Sequence, residues 1–330
     1  MAISGDGPVV LITGCTDGGI GHALALEFAR RGCSVVATSR AVESMKALQG
    51  VGPNIWLRAL DVRSEASIRE MVEGVVGELG RIDVLVNNAG VHLVAPLAEA
   101  PMDSFHTIFD TNVYGPMRLI QAVAPHMIQR RQGRIVNVGS VTALAPGPWA
   151  GVYSASKSAL HALSDTLRLE LRSFGISVTT VAPGAISSNL GHSSLQTYDK
   201  IADWKFYKEF ESTIRARTDI SQGPKSTPAH VFAKKMVASV LNKNPPRWFS
   251  YGRFSTILAI LYYLPLSIRD YFYRLTTAQD IISIKLYAYT YITLQLYIIE
   301  PNTAQLYIPT VFVKLMPRTE EEKTTSKHPN

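Results

Sequence analysis

Along the first half of the chain, short unbroken apolar runs alternate with stretches in which apolar residues recur every three or four positions. The runs are "PVVLITG" (8–14), "SVVATSR" (34–40), "IWLRALDV" (55–62), "IDVLVNNAG" (82–90), "GRIVNVGS" (133–140) and "ISVTTVAPG" (176–184). Apolar side chains on successive residues suit strands buried on both faces. Between the runs, residues 19–32, 41–49, 64–80, 102–131 and 150–174 show helical spacing. Alternation on this scale makes right-handed crossovers. The pattern therefore predicts an α/β fold, a doubly wound parallel sheet forming a single domain with an apolar C-terminal extension.

The regularity ends at 184. Residues 184–225 read as a long irregular segment after a strand's carboxyl end, the place where such sheets bind ligands. One more amphipathic helix is expected over 227–243, entered through Thr227-Pro228. The catalytic domain is read as 1–245 and an apolar arm as 246–275. Within that arm "FSTILAILYYLPLSI" (254–268) carries no charge and lies between Arg253 and Arg269. Spanning a bilayer takes about 20 apolar residues, so this stretch is too short, and Pro265 interrupts it. It reads either as a packing segment or as an in-plane membrane anchor with Trp248, Tyr262, Tyr263, Tyr271 and Tyr273 at the interface. The tail 276–330 is crowded with Ile, Tyr, Thr and Leu and repeats "QLYI" at 295–298 and 305–308. It reads as translated AT-rich sequence such as a retained intron, with a β-rich accessory segment as the competing reading.

Composition adds limits. Apolar residues make up 46% and charged residues 18% of the 330, which suits a folded chain. Lys and Arg outnumber Asp and Glu by 33 to 26, a net +7 that suits an anionic ligand or membrane surface. No finger, basic zipper or basic-aromatic array supports nucleic acid. Cys15 and Cys33 make neither a disulfide framework nor a metal set and read as buried packers. His22, His106, His161 and His192 lie at no ligand spacing, so no metal is expected. The N-terminus has no apolar signal core, so an intracellular, reducing location is expected.

Between the first strand and first helix, "TGCTDGGIG" places Gly14, Gly18, Gly19 and Gly21 within eight residues. Such a bare turn lets backbone N–H groups approach a pyrophosphate at the helix N-terminus. With "NNAG" (87–90), "YSASK" (153–157) and "APG" (182–184), it resembles the short-chain dehydrogenase/reductase superfamily over roughly residues 8–245. The resemblance implies a Rossmann-type fold and a nicotinamide dinucleotide held by Thr13, Gly14, Gly19, Ile20 and Gly21. One residue is inserted relative to the family's usual T-G-x-x-x-G-x-G. Gly18 tolerates any φ, so the insertion is expected to bulge outward. At the end of the second strand Arg40 stands where an acidic residue would select NAD, which favours NADP(H) over NAD(H). Asp17 nearby is an unhelpful negative charge. By resemblance, Asp61 and Val62 contact adenine, Asn88, Ala89 and Gly90 lie beside the cofactor, and Pro183, Gly184, Ile186 and Ser188 cap the nicotinamide.

The same resemblance makes Tyr153 the general acid/base, with Lys157 holding the nicotinamide ribose, Ser140 orienting the substrate oxygen and Asn112 positioning a relay water. Tyr153 and Lys157 are four apart and share a helix face. A nearby ammonium, with the positive nicotinamide, is expected to lower the phenol's reference pKa of about 10. Closer likeness, in "VTALAPGPWAGVYSASKSALHALSDTLRLELRSFGI" and "NPPRWFSYGRFSTILAILYYLPL", is to fungal and plant NADPH-dependent 1-acyldihydroxyacetone-phosphate reductases. It implies a lipid-like ketone reduced at the cytosolic side of the endoplasmic reticulum or at lipid droplets, with the cytosol as the alternative. Two other functions stay open: a dehydrogenase or ketoreductase of steroid- or triterpenoid-like substrates, and a non-catalytic NADP-binding interaction protein. The family commonly forms dimers or tetramers through the helices at 102–131 and 150–174.

Overall fold

The six apolar runs form parallel strands of one sheet in a computed structural model that describes residues 7–277. They are β1 (Val9–Thr13), β2 (Ser34–Ser39), β3 (Ile55–Ala59), β4 (Val84–Asn87), β5 (Gly133–Val138) and β6 (Ile176–Pro183). Two short strands follow, β7 (Ile186–Ser187) and β8 (Thr227–Pro228), which pair only with each other. A seventh parallel strand, β9 (Trp248–Tyr251), extends the sheet beyond β6. The order is β3-β2-β1-β4-β5-β6-β9, so the winding reverses between β1 and β4. That reversal opens a crevice at the strands' carboxyl ends.

Helices α1 (Ile20–Arg30), α2 (Glu65–Leu79), α3 (Met102–Phe109), α4 (Gly115–Arg130), α5 (Gly151–Leu171), α6 (Leu190–Ile201), α7 (Glu211–Ala216), α8 (Ala229–Val240), α9 (Ser255–Tyr263) and α10 (Leu266–Thr277) make the crossovers and the C-terminal part. Two cores cover the sheet. Val10 and Ile12 of β1 point to one face with Leu24 and Phe28 of α1 and Phe232 and Met236 of α8. Val9 and Leu11 point to the other, against Val72 of α2 and Leu119 and Val123 of α4. Each such side chain contributes about 1.5–3 kcal/mol by leaving water, which is why these strands carry no polar alternation. Cys15 and Cys33 are buried and unpaired, and burial pushes their thiols up to about 12 and about 11.

Four expectations change. Residues 42–48 wind as two 3₁₀ turns broken at Met45 rather than as an α-helix, and the Ala47 N–H leaves the helical ladder for the Asp17 carboxylate, at 3.2 and 3.0 Å. The stretch 102–131 is two helices joined by a π-turn at Asp110–Tyr114. The sheet also runs past 245, where the sequence reading closed the catalytic domain. The first compact unit ends at Leu264 and the second begins at Pro265. The "irregular" 184–225 is partly helical, in α6 and α7. No helix among the described residues is long and apolar enough to cross a membrane. The tail beyond 277 lies outside the described residues.

Candidate active site

The glycine turn sits where the crevice opens. Thr13 closes β1, and its hydroxyl accepts the N–H groups of Asn88 at 3.0 Å and Ala89 at 2.9 Å. The Asn88 carboxamide returns two bonds, to the carbonyls of Thr13 (2.8 Å) and Gly14 (3.0 Å). Four bonds thus fix the turn to the end of β4. A Cβ on Gly14 would stand 2.7 Å from Ala89 Cα, and one on Gly21 would stand 2.3 Å from the Gly14 carbonyl oxygen. Helix α1 starts at Gly19 with no side-chain cap and no acidic residue in its first turn. Its first-turn N–H groups and positive end therefore suit an anion such as a diphosphate. A bare strip continues at Gly90, where a Cβ would lie 3.2 Å from Asn112 Oδ1 and 3.5 Å from Lys157 Nζ. The residues present fit a dinucleotide.

The inserted glycine has a definite place. Gly18 takes φ +71°, and the side chain of Asn189, just before α6, lies against it and donates to the Asp17 carbonyl. The Asp17 carboxylate turns to Ala47 and to His22, whose Nδ1 is 3.3 Å away. Arg40 is exposed at the end of β2. Asp61 is ion-paired with Arg63 at 3.1 Å; that bond, followed by Arg63's and then Arg40's charge, holds its carboxyl below the usual range. Val62 is buried against Gly115. Past Pro183, Gly184 passes so close to the Gly252–Arg253 backbone that a Cβ would meet the Arg253 carbonyl at 2.1 Å. Ile186 sends its side chain into the core against Gly252, so any contact with a carboxamide falls to its backbone. Ser188 is buried on the bend before α6.

Tyr153 and Lys157 share one face of α5. The phenol is buried and pushed up to about 12, chiefly by desolvation, against which a hydrogen bond from Ser140 and the charge of Arg217 act. Burial pushes Lys157 down to about 8. Its ammonium donates to the Val138 carbonyl at 2.7 Å and lies 5.8 Å from the centre of the Tyr153 ring. The expected lowering of the phenol by its lysine neighbour is thus absent in the protein alone. Burial opposes charge on both groups, and the lysine is turned to a backbone carbonyl.

Ser140 leaves the end of β5 with its hydroxyl 2.9 Å from Thr142 Oγ1 and its N–H donating to His161 Nε2 at 3.3 Å. His161 is neutral, pushed down to about 4 by burial and by Lys157, and packs edge-on against Trp248 of β9. Asn112 is wholly buried in the π-turn. Its carboxamide is taken up by both backbone groups of Val91, each at 2.9 Å, and by Ser156 Oγ at 3.0 Å. Such π-turns recur at functional sites because they aim one side chain off the helical repeat.

A family model for short chain dehydrogenases matches residues 8–199. The chain belongs to the short-chain dehydrogenase/reductase family. It is an oxidoreductase acting on CH–OH groups. A short-chain dehydrogenase of Penicillium crustosum is 40% identical over 235 residues, 71% of this chain and 84% of that protein. The NADPH-dependent 1-acyldihydroxyacetone phosphate reductase of Schizosaccharomyces pombe is 40% identical over 195 residues, 58% of this chain and 64% of that protein. A solved closed form of serine dehydrogenase complexed with NADP+ superposes with a TM-score of 0.65 at 27% identity, covering 74% of this chain and 94% of that one.

Two residues of this short-chain dehydrogenase stand at the site without having been singled out in the sequence. His92, two positions beyond Gly90, meets the Tyr153 ring edge-on with centroids 4.5 Å apart. Trp149, just before α5, holds φ +66°, a conformation costing a non-glycine residue roughly 1–3 kcal/mol. Its ring packs on Tyr207 and Phe210 of the segment after α6. With Leu93, Val152, Trp204 and Ile214 these build an apolar cluster adjoining Tyr153.

Proposed function

We propose that this enzyme is an NADPH-dependent ketoreductase acting on a lipid-like ketone of the 1-acyldihydroxyacetone-phosphate type. The observation that carries the reaction type is the meeting of Tyr153 and Lys157 on one face of α5 with Ser140, which is hydrogen-bonded to the phenol and can hold a substrate oxygen beside it. A nicotinamide dinucleotide held on the Gly14–Gly21 turn would supply the hydride. Tyr153 protonates the substrate oxygen, Ser140 holds that oxygen beside the phenol, and the Lys157 ammonium, 5.8 Å from the ring centre, favours the phenolate left behind through its charge. Asn112 acts from behind, fixing Val91 and, through Ser156, the Tyr153 carbonyl.

Support for the substrate class comes from the apolar cluster beside Tyr153 and from Arg217, whose charge reaches both Tyr153 and His92 and suits a phosphate. Support for NADPH comes from Arg40, together with the NADP-bound and NADPH-dependent relatives. The test is a turnover screen of an acyl ketone phosphate against keto-triterpenoids with both nicotinamide cofactors. Preferred turnover of the phosphate with NADPH is expected, and Arg40→Ala is expected to raise KM for NADPH and not for NADH. Turnover of ring ketones alone would overturn the substrate class.

We place the enzyme at a lipid surface, such as the cytosolic face of the endoplasmic reticulum or a lipid droplet. Helix α9 packs on β9 and beside Val141–Ala143, next to Ser140, while Ile257, Ile260, Tyr262 and Tyr263 face outward. An exposed apolar-aromatic face on a protein of net charge +7 suits an anionic bilayer. The full chain is expected to co-sediment with vesicles containing phosphatidylserine, and Ile260→Glu with Tyr263→Glu to weaken that binding. Equal recovery of wild type and variant in the supernatant would remove this assignment.

A further inference from the structure

His92 enters the site on a backbone pinned from both sides. Asn112 bonds the N–H and the carbonyl of Val91, the residue before it. Through Ser156 the same carboxamide reaches the carbonyl of Tyr153, since Ser156 Oγ accepts from Asn112 at 3.0 Å and donates to Tyr153 O at 2.7 Å. The backbones carrying the two rings are therefore held to one another. The rings themselves meet edge-on at 83°. On the other side, His92 Nδ1 shares a 2.8 Å hydrogen bond with Ser194 Oγ, a wholly buried hydroxyl on α6. We propose that His92 is a positioning residue that acts through Tyr153, bracing the phenol ring and tying helix α6 to it. A substrate seated against α6 then finds the proton donor in register.

This rests on the reading of Tyr153 as the proton donor. His92 itself is no proton donor at neutral pH: burial first, then Arg217 and Lys157, pushes it down to about 3. Its part is geometric, and it also excludes water. The groups facing the phenol are Ser140 after β5, Lys157 on α5, His92 after β4 and Arg217 after α7. Of these His92 packs directly on the ring, so removing it admits water to a phenol whose pKa is raised chiefly by desolvation.

The test combines His92→Ala, His92→Phe, Ser194→Ala and the His92→Phe/Ser194→Ala pair. For His92→Ala, kcat is expected to fall between about 10- and 100-fold, as for a misplaced catalytic group. Above the first alkaline change, which Lys157 sets at about 8, the phenol's own alkaline limb should move down from about 12 toward the ordinary phenol value of about 10. Ser194→Ala is expected to raise KM several-fold with kcat and the alkaline limb unmoved. The paired variant should match Ser194→Ala in KM, because both changes delete one bond. Amide hydrogen exchange over 190–201 should quicken in His92→Phe and Ser194→Ala alike, a readout independent of turnover. An unmoved alkaline limb in His92→Ala overturns the brace, and unchanged exchange in α6 overturns the tie. If Tyr153→Phe retained full activity, the proton-donor reading would fall instead, and the exchange result would still judge the tie.

Discussion

Tyr153→Phe is expected to cut turnover by orders of magnitude while leaving the fold and dinucleotide binding in place. The substitution deletes one oxygen and keeps the ring that packs on His92 and lies 5.8 Å from the Lys157 ammonium. Nothing in either core changes, so the melting temperature should stay within a degree or two of wild type. What is lost is the hydroxyl that is hydrogen-bonded to Ser140 and would give its proton to the substrate oxygen. General-acid catalysis of this kind is worth roughly 10² to 10⁴-fold, and kcat should fall by that factor with KM nearly constant. Single-turnover kinetics with NADPH and fluorescence titration of the cofactor check both halves. Retained turnover would move the acid elsewhere and with it the whole mechanism.

The pH dependence follows from the same burial. For a phenol near 12, the reduction rate should be insensitive to its ionisation through neutrality and should fall only in strong alkali. Lys157, near 8, loses its charge well before that, so the lysine governs the first alkaline change. The sign is set by burial acting oppositely on an acid that becomes an anion and a base that becomes a cation.

How much of this was legible in the sequence depends on how local the cause was. The continuous apolar runs announced β1 to β6 because every side chain on them enters one core or the other. Thr13, Asn88, Ser140 and Pro183 fell at or just beyond strand ends for the same reason: a doubly wound sheet gathers those ends at one crevice. Strand β9 was missed, since Trp248 at its start read as a membrane-interface residue. Its pairing with β6 is a long-range fact. The pKa direction at Tyr153 was also beyond reach, because Lys157's spacing is visible in sequence and the burial of both groups is not. His92 left no signal at all. Its partner Ser194 lies 102 positions along the chain, and no motif links them.

Two glycine substitutions with opposite outcomes test how the dinucleotide turn is held. Gly21→Ala places a methyl 2.3 Å from the Gly14 carbonyl oxygen and 2.6 Å from Asn88 Nδ2. The first obstacle is backbone and the second is the amide that bonds that same carbonyl at 3.0 Å. Neither can yield without parting the turn from β4. Overpacking of this kind costs roughly 1–3 kcal/mol, which lowers the melting temperature by several degrees in a domain of this size. The larger effect is on function, because moving the Gly14 carbonyl displaces the turn and with it the α1 first-turn N–H groups that fit the diphosphate. NADPH affinity should drop by about 10²-fold or more, as when a positioned group shifts by an ångström. Gly74→Ala, by contrast, adds its methyl to the middle of α2 with nothing within 4 Å. There the gain in helix propensity, about 0.5–1 kcal/mol, should raise stability and leave cofactor binding untouched. Calorimetric titration and thermal melts of the two variants decide the matter. If Gly21→Ala bound NADPH as well as Gly74→Ala does, the cofactor would not rest on this turn.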